Sequence, residues 1–259
     1  MSVIPAVLHR RMVGIALLAG VLAIDPAPLR AQQAATVVPG VVVHMDAAPG
    51  PDTIVFRRTI TRGGVDSITG TRTVVSRVLP GQGGTRLLEV EQRFPGGGGE
   101  IVDTALADLG TLRAVAHRSH QPKRTMRFDF VGGASEGSLS DSGAVRQELG
   151  GPIFDSNVIE LVVAALPLQP QFTAELPFFI YERGGRVPMQ VTVRERSMVA
   201  FPALGQREAW VVAVGVPDAP ATVWVDARTR AVLRVRYDIV ARAMSFTDDR
   251  VTPLPSNPF

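Results

Sequence analysis

The stretch VWVDARTRAVLRVRYDIVAR, residues 223–242, decides the fold class because apolar and polar side chains alternate along its second half. From Ala231 to Ala241 every odd position is apolar, while positions 234, 236, 238 and 242 carry arginine or aspartate. Side chains of a strand point alternately to its two faces, so the pattern predicts a strand with one buried and one solvated face. The predicted buried face comprises Leu233, Val235, Tyr237 and Ile239.

The arginines of this stretch are assigned to the solvated face of the strand. Replacing Arg234 and Arg236 together by glutamine is therefore expected to leave folding nearly intact. The residues from Asp226 to Thr229 favour a turn, which joins this strand to a preceding one at Ala221–Val225. A hairpin at 221–241 follows from these two assignments.

The same alternation recurs upstream and predicts a mainly β fold of about ten or eleven antiparallel strands with short glycine turns. Strand candidates are residues 53–62, 67–79, 88–94, 126–130, 172–180, 187–194 and 210–214. The last of these is apolar on both faces, which is typical of a strand covered on both sides. Gly63 with Gly64, and Gly184 with Gly185, are the expected hairpin turns.

One segment departs from this alternation. Apolar residues run almost continuously from Val158 to Leu166, interrupted only by Glu160. Asp155, Ser156 and Asn157 are all good helix caps, Glu160 follows Asn157 at the spacing of a capping box, and Pro167 supplies a stop. We predict one buried helix here; a core strand is the alternative, because valine and isoleucine dominate the segment.

The first residues have the pattern of a cleavable export signal. A charged start at Arg10 and Arg11 precedes an apolar run from Met12 to Ile24, which is too short to span a bilayer. Cleavage is expected near Ala31, and the product is expected in the periplasm or outside the cell. The adjacent arginines resemble a twin-arginine signal, but the residues around them fit that pattern poorly, which favours the ordinary secretory route. The predicted organisation is a signal peptide at 1–31, an extended segment at 32–50, one β domain at 51–246 and a proline-rich tail at 247–259.

Charge and cysteine content exclude several classes of function. The chain has 27 Lys and Arg against 24 Asp and Glu. Removing the signal would remove three arginines and one aspartate, which leaves a nearly neutral protein and no composition argument for nucleic-acid binding. No cysteine is present, so disulfides, thiol catalysis, cysteine-ligated metals and a lipidated N-terminal cysteine are excluded. An integral outer-membrane barrel is disfavoured, because faces rich in arginine fit lipid poorly.

Two short motifs invite a catalytic interpretation. Residues 133–137 match the G-x-S-x-G nucleophile elbow around Ser135, but no helix pattern follows and no histidine comes later in the chain. Asp103-Thr104-Ala105 resembles half of an aspartic protease site, yet it lacks the glycine and a second copy. Ser135 is therefore interpreted as part of a hairpin turn and Asp103 as a polar strand position. We predict no enzyme, no catalytic residue and no cofactor.

Two histidines raise the question of a metal site. His117 and His120 are three apart, so on a strand they point to opposite faces, and no metal site is predicted. The two histidines, with the intervening Arg118 and Ser119 and with Lys123, Arg124 and Arg127, form the most basic local patch. The patch is either a docking point for an acidic head group or a solvated hairpin.

The helical segment DSNVIELVVAALPL and the hairpin TVWVDARTRAVLRVRY, together with the stretch from Asp108 to Leu112, resemble a family of periplasmic proteins. This is the family called domain of unknown function 3108, which is similar to the LolA and LolB lipoprotein carriers. The resemblance covers residues 100–242. It implies an antiparallel half-barrel wrapped around a buried helix, whose concave side can shelter acyl chains.

Two functions follow as hypotheses. The first is a protein of the cell envelope that binds a lipid or another hydrophobic ligand on its concave face. The second is a structural or assembly protein of the envelope, whose core is filled by its own side chains and which binds a protein partner at an edge strand. The family offers no motif from which ligand-binding residues could be assigned.

Overall fold

The computed structural model describes residues 35–40, 52–96, 98–183, 185–216 and 218–255. The predicted signal peptide at 1–31 and most of the extended segment at 32–50 lie outside the described residues. Within these ranges the chain forms one compact unit of 16 strands and one short α-helix. The expected mainly β fold with a single helix is confirmed, whereas the expected ten or eleven strands are too few.

The helix is α1, Ile159–Ala165. The strands are β1 (Ala35–Thr36), β2 (Asp52–Arg62), β3 (Val65–Pro80), β4 (Arg86–Gly96), β5 (Gly99–Asp108), β6 (Ala114–Gln121), β7 (Arg124–Val131), β8 (Ala134–Leu139), β9 (Gly143–Glu148), β10 (Phe154–Asp155), β11 (Thr173–Ile180), β12 (Gly185–Phe201), β13 (Gly205–Val216), β14 (Ala219–Asp226), β15 (Val232–Ile239) and β16 (Met244–Arg250). The last strand extends past residue 246, where the domain was expected to end.

All the strands belong to one sheet, and most chain neighbours are antiparallel partners in it. The strand order is β1-β11-β12-β13-β14-β15-β16-β2-β3-β4-β5-β6-β7-β8-β9, with β10 also paired to β11. The last strand of the chain, β16, therefore lies against β2, with Arg250 opposite Phe56. Both β1 and β10 pair with β11 in parallel. These two short strands cover part of the outer edge of β11.

Two of the strands that the alternation did not predict lack an apolar row. β8 and β9 have the sequences ASEGSL and GAVRQE, with small or charged residues in place of an apolar row. Glycines at positive φ, such as Gly63 and Gly64 between β2 and β3, make the tight turns that hairpins need. A strand without an apolar face gives no period-two signal, so its existence follows from pairing alone.

The core lies on the inner face of the sheet, against α1. Four helix-segment residues are fully buried there: Val158, Val162, Val163 and Leu166. A smaller apolar cluster forms where β7 meets β11, with the rings of Phe128 and Phe179 5.1 Å apart. Because Phe178 belongs to the main core and Phe179 to the smaller cluster, β11 is buried on both faces. The sheet therefore curls far enough to bring β7 against β11.

The predicted helix is confirmed, and Asp155, one of its three predicted caps, does cap the segment, whereas the predicted capping box is wrong. A 3₁₀ turn, Ser156–Val158, precedes α1 and is capped by Asp155, whose carboxylate accepts a hydrogen bond from the Asn157 amide at 2.8 Å. Glu160 makes no capping box; its side chain points into the protein interior instead. At the other end the Arg230 guanidinium donates to the Leu166 carbonyl, which helps to end the helix.

The predicted faces of β15 are correct at most positions and wrong at Leu233. Val235 is fully buried in the main core and Tyr237 packs against it, as predicted. The pairing with β14 is irregular between Trp224 and Val225, where Val225 faces Val232 and Trp224 faces Arg234. This bulge turns Leu233 away from the main core and into a separate outer cluster with Phe201 and Ala209.

The bulge also separates the two arginines that the sequence treats as equivalent. Arg234 forms an ion pair with Asp249 at 2.5 Å and stacks over Phe201, 5.0 Å from the ring centre. Arg236 is exposed and pairs with the nearby Asp238. The expectation that both positions tolerate glutamine therefore holds for Arg236 but not for Arg234.

We expect Arg236→Gln to change the free energy of unfolding by less than about 0.5 kcal/mol, because exposed ion pairs contribute little. Arg234→Gln should cost about 1–2 kcal/mol, because it removes a partly buried ion pair together with a cation–π contact. Urea unfolding of the two single variants measures the difference. Equal effects would contradict the bulge at this point of the strand.

Within the described ranges, none of the helical segments is long and apolar enough to cross a lipid bilayer.

Candidate functional site

A group of polar side chains on the inner face of the sheet forms one connected network, which we name the charged cluster. Its members are Arg58, Arg72, Gln92, Glu160, Tyr237 and Asp248. Arg72 is 1 % exposed and Asp248 is fully buried. Two guanidinium groups and two carboxylates balance one another, which is the condition under which charges are tolerated in an interior.

Asp248 holds both arginines of the charged cluster. Arg58 forms a bidentate pair with it through Nε and Nη2, at 2.8 and 2.7 Å. Arg72 approaches the same carboxylate with its Nε atom 2.9 Å from Oδ2. Aromatic rings cover both guanidinium groups: Phe94 lies over Arg58 at 4.7 Å and Phe56 over Arg72 at 4.5 Å. The rings keep water away from the charges, which strengthens their pairing.

The charged cluster fastens α1 to the sheet. Glu160 of α1 accepts from the Arg72 Nη1 atom at 2.7 Å and from the Tyr237 hydroxyl at 2.9 Å. Gln92 accepts from Arg72 at 3.0 Å and donates to the Asn157 carbonyl at 2.7 Å, just before the helix. The cluster thus sets the position of the helix within the curled sheet.

Protonation states in the charged cluster follow from its burial. Burial opposes the charge of Arg72, but Glu160, Tyr237 and Asp248 together raise its pKa above the usual value, so it stays charged. Burial and the Glu160 carboxylate raise the pKa of Tyr237 well above its usual value. Tyr237 therefore remains a neutral hydroxyl donor at ordinary pH. With Arg72 charged and Tyr237 neutral, the cluster has the character of a structural support.

A second polar group lies between β5, β6 and β10. His117 Nδ1 is 3.0 Å from the Asp155 carboxylate, and the Ser119 hydroxyl donates to Asp103. Burial raises the pKa of Asp103, while the Ser119 hydrogen bond and nearby His117 oppose the rise. As predicted, His117 is buried and His120, three residues later, is exposed. Among the described residues no set of three or more His, Asp or Glu side chains could hold a metal ion.

Of the two motifs that resemble catalytic sites, the one around Ser135 departs from its predicted position. Gly132 and Gly133 alone form the turn from β7 to β8, whereas Ser135, predicted to lie in that turn, lies within β8 with its side chain fully buried, because the strand begins directly after the two glycines. No helix directly follows Ser135, so the strand–turn–helix geometry of a nucleophile elbow is absent from this part of the described chain. Asp103 is a polar strand residue, as predicted, and it accepts a hydrogen bond from the Ser119 hydroxyl.

The basic patch around residues 117–127 is largely neutralised by its own surroundings. Arg118 pairs with Asp129 at 2.6 Å, Arg127 lies 3.6 Å from the same carboxylate, and Arg124 lies 3.2 Å from Asp141. These carboxylates lie on β7 and in the turn after β8. The sequence pattern alone did not show that they would lie beside the basic residues. This arrangement favours the solvated hairpin over a docking point for an acidic head group.

A groove of about 730 Å³, which we name the end groove, opens near the turn between β7 and β8. Its lining includes the apolar residues Pro39, Ala114, Phe130, Pro152 and Ile153, four glycines, the cation Arg113 and the carboxylates of Asp108 and Glu148. Ala114, Phe130 and Ile153 also belong to or pack against the smaller apolar cluster, so the groove has an apolar wall. Arg113 is exposed and has no ion pair within the described part of the chain. The volume lies within the range of small-molecule sites.

Comparison with known proteins places this geometry among proteins without an assigned activity. A family model described as "Protein of unknown function (DUF3108)" matches residues 62–245. No curated protein matches the chain. The solved structures that are similar include a beta-barrel-like protein of the domain of unknown function DUF1849 from Brucella abortus, with a TM-score of 0.51 and 13 % identity over 81 % of this chain and 100 % of that one. At this identity the likeness concerns the fold alone.

A DUF1329 family protein from Desulfovibrio piger is a more distant neighbour. It has 10 % identity over 80 % of this chain and 86 % of its own, with a TM-score of 0.28. A score at that level supports no structural conclusion.

Proposed function

The chain belongs to the DUF3108 family of proteins of unknown function, and from that premise we propose that it is an exported protein of the cell envelope that binds a lipid or another hydrophobic ligand. The end groove is the observation that carries the proposal. It combines an apolar wall at Phe130 and Ile153 with an exposed cation, Arg113, at its rim. Such a surface suits a ligand that has an apolar body and a polar end.

The proposed architecture is a LolA-like half-barrel, in which the curled sheet is wrapped around α1. In this proposal the ligand does not lie beside the helix. Val158, Val162 and Leu166 are fully buried against the sheet, and the charged cluster occupies the space next to them. The concave face is thus filled along the helix, and the ligand would enter at the end groove instead.

The export component of the proposal rests on residues 1–31. Their charged start, apolar run and small residue at Ala31 are typical of a signal that is removed after translocation. Cleavage would release the protein into the periplasm or the medium, without a lipidated cysteine to anchor it.

Binding to the end groove can be tested with a fluorescent long-chain fatty acid as the probe. Pro152 is exposed and lines the groove, so Pro152→Trp should obstruct it and weaken probe binding by about tenfold or more. Pro202→Trp, at an exposed proline in the turn between β12 and β13, is the matched control and should bind as the parent does. Fluorescence titration gives the affinities, and organic extraction of the purified protein shows whether an apolar molecule accompanies it.

A second candidate function is favoured by the filled concave face. A structural protein of the envelope needs a solid core and an available edge, and β9 is paired only with β8 among the described strands. If the parent protein neither binds the probe nor carries an extractable apolar molecule, the ligand-binding function is wrong. The structural function would then be the better account of the same fold.

A further inference from the structure

Four adjacent strands end together at one end of the sheet. The registers of β15, β16, β2 and β3 align Ile239, Met244, Arg62 and Val65 in a single row. Neighbouring strands are about 4.8 Å apart, so the row is about 14 Å wide. Two chain reversals project beyond it: the Gly63–Gly64 turn and the turn at residues 240–243. We name this end of the sheet the tip surface.

The tip surface concentrates exposed aliphatic side chains. Val65 is 67 % exposed, Ile68 is 70 % exposed and Val240 is 59 % exposed. They are three of the five large apolar residues that stand out as exposed in the described chain; the other two, Val131 and Met198, lie on different strands. Solitary exposed apolar residues are ordinary on protein surfaces, whereas a group at one end marks a contact surface.

Two arginines flank these aliphatic residues. Arg62 and Arg242 are exposed, and neither has a carboxylate partner in the described ranges. The Nη2 atom of Arg62 contacts only the Met244 sulfur, at 3.4 Å. Arg236 is neutralised by Asp238 at 2.9 Å, and the exposed Asp66, which accepts from the Thr61 hydroxyl at 2.7 Å, leaves one negative charge against the two arginines. The tip surface therefore carries a net positive charge with two guanidinium groups available.

We propose that the tip surface rests on a membrane that contains anionic lipid. Val65, Ile68 and Val240 enter the boundary between head groups and acyl chains, while Arg62 and Arg242 bind the phosphates around them. Their long side chains allow the guanidinium groups to stay at the level of the head groups while the turns go deeper. Attraction of arginine to an anionic bilayer adds to the burial of the aliphatic groups.

The shape of the tip surface favours a bilayer over a second copy of the chain. A stable dimer buries about 800 Å² on each partner across a flat, complementary patch. Here Val240 stands on one projecting turn and Val65 borders the other, while Ile68 lies further back on the opposite face of β3. A fluid surface can receive the hairpin end with both of its faces, which a flat protein partner cannot do. This inference does not depend on the end groove, and it assigns to the envelope protein a surface on which it would lie.

The test is co-sedimentation of the purified chain with phosphatidylcholine vesicles that contain phosphatidylglycerol. Changing Val65, Ile68 and Val240 together to serine should lower the partition coefficient by about tenfold or more, because three aliphatic groups no longer enter the bilayer. Changing Arg62 and Arg242 to glutamine should lower it by about tenfold on these vesicles, with little effect on pure phosphatidylcholine. All five positions are exposed, so circular dichroism should show each variant folded.

The control changes Val131 and Met198 to serine, which removes equally exposed apolar groups elsewhere and should leave partitioning unchanged. Since the variants share the rest of the chain, differences among them report the tip surface itself. Equal partitioning of all variants would overturn the proposal. So would a dimer, detected by analytical ultracentrifugation, that the serine variant dissociates, because the surface would then serve a second copy.

Discussion

Replacing Val235 by aspartate is expected to abolish cooperative folding. Val235 is fully buried, between Val223 on β14 and Asp248 on β16. The Asp248 oxygens already hold Arg58 and Arg72, so a second carboxylate beside them would be buried without a partner of its own. Burying such a charge costs at least several kcal/mol, and the whole stability of a domain is only about 5–15 kcal/mol. Near-ultraviolet circular dichroism and thermal melting should show no native transition.

Val235→Thr is the matched control for this substitution. Threonine keeps the branched shape and about the same volume, so its cost is that of one unpartnered hydroxyl, about 1–3 kcal/mol. The threonine variant should therefore melt cooperatively at a lower temperature than the parent. An aspartate variant that melted within a few degrees of the parent would show that Val235 does not face the core. The assignment of inner and outer faces of β15 would then be reversed.

The fold class could be predicted because a strand with one buried face shows alternating apolar and polar residues in the sequence. β15, β12 and β7 alternate clearly, and their inner residues, such as Val191 and Phe128, lie in the core as predicted. β8 and β9 show no such alternation. They are strands because their backbones pair with each other, and this pairing does not require an apolar row. Counting apolar rows therefore undercounts the strands.

The error at Leu233 has a different origin. A strict period of two assumes a regular ladder, but the bulge between Trp224 and Val225 inserts an extra residue on β15. The register slips there, and Leu233 joins the outer cluster while Val232 joins the main core. No single residue type marks such a bulge, so only the pairing of the two strands reveals it.

The charged cluster was missed because its members are distributed among five strands and the helix. A signal was nevertheless present: Gln92 stands between Val90 and Phe94 in an apolar row, and Glu160 interrupts an apolar helix. A polar residue at an inward position requires a buried partner. The sequence therefore indicates that Gln92 and Glu160 need buried polar partners. It does not show which residues these are, because other members of the cluster, such as Asp248, lie far away in the chain. The end groove is built from loops and the ends of several strands, and periodicity does not show which strand ends meet.

Replacing Asp248 by asparagine is expected to lower the free energy of unfolding by about 3–5 kcal/mol, the usual cost of removing one partner from a buried ion pair. Asparagine has nearly the same shape, so the loss arises from charge. Two guanidinium groups would remain inside the protein with only Glu160 to balance them. Chemical denaturation with a fluorescence signal measures the change. Asp238→Asn, at a partly exposed ion pair with Arg236, is the control and should cost less than about 1 kcal/mol.

A double replacement tests whether charge balance is the cause. Arg58→Met with Asp248→Leu removes one cation and one anion together, and it leaves Arg72 paired with Glu160. Buried ion pairs can often be exchanged for apolar residues at little cost, so the double variant should be more stable than Asp248→Leu alone. If the loss of unfolding free energy in the double variant equalled the sum of the losses in Arg58→Met and Asp248→Leu, the burial of the arginines would not depend on Asp248. A gain on removing the second partner would mean that the interior tolerates these charges only as a neutral set, and that α1 is held in the sheet by that neutrality.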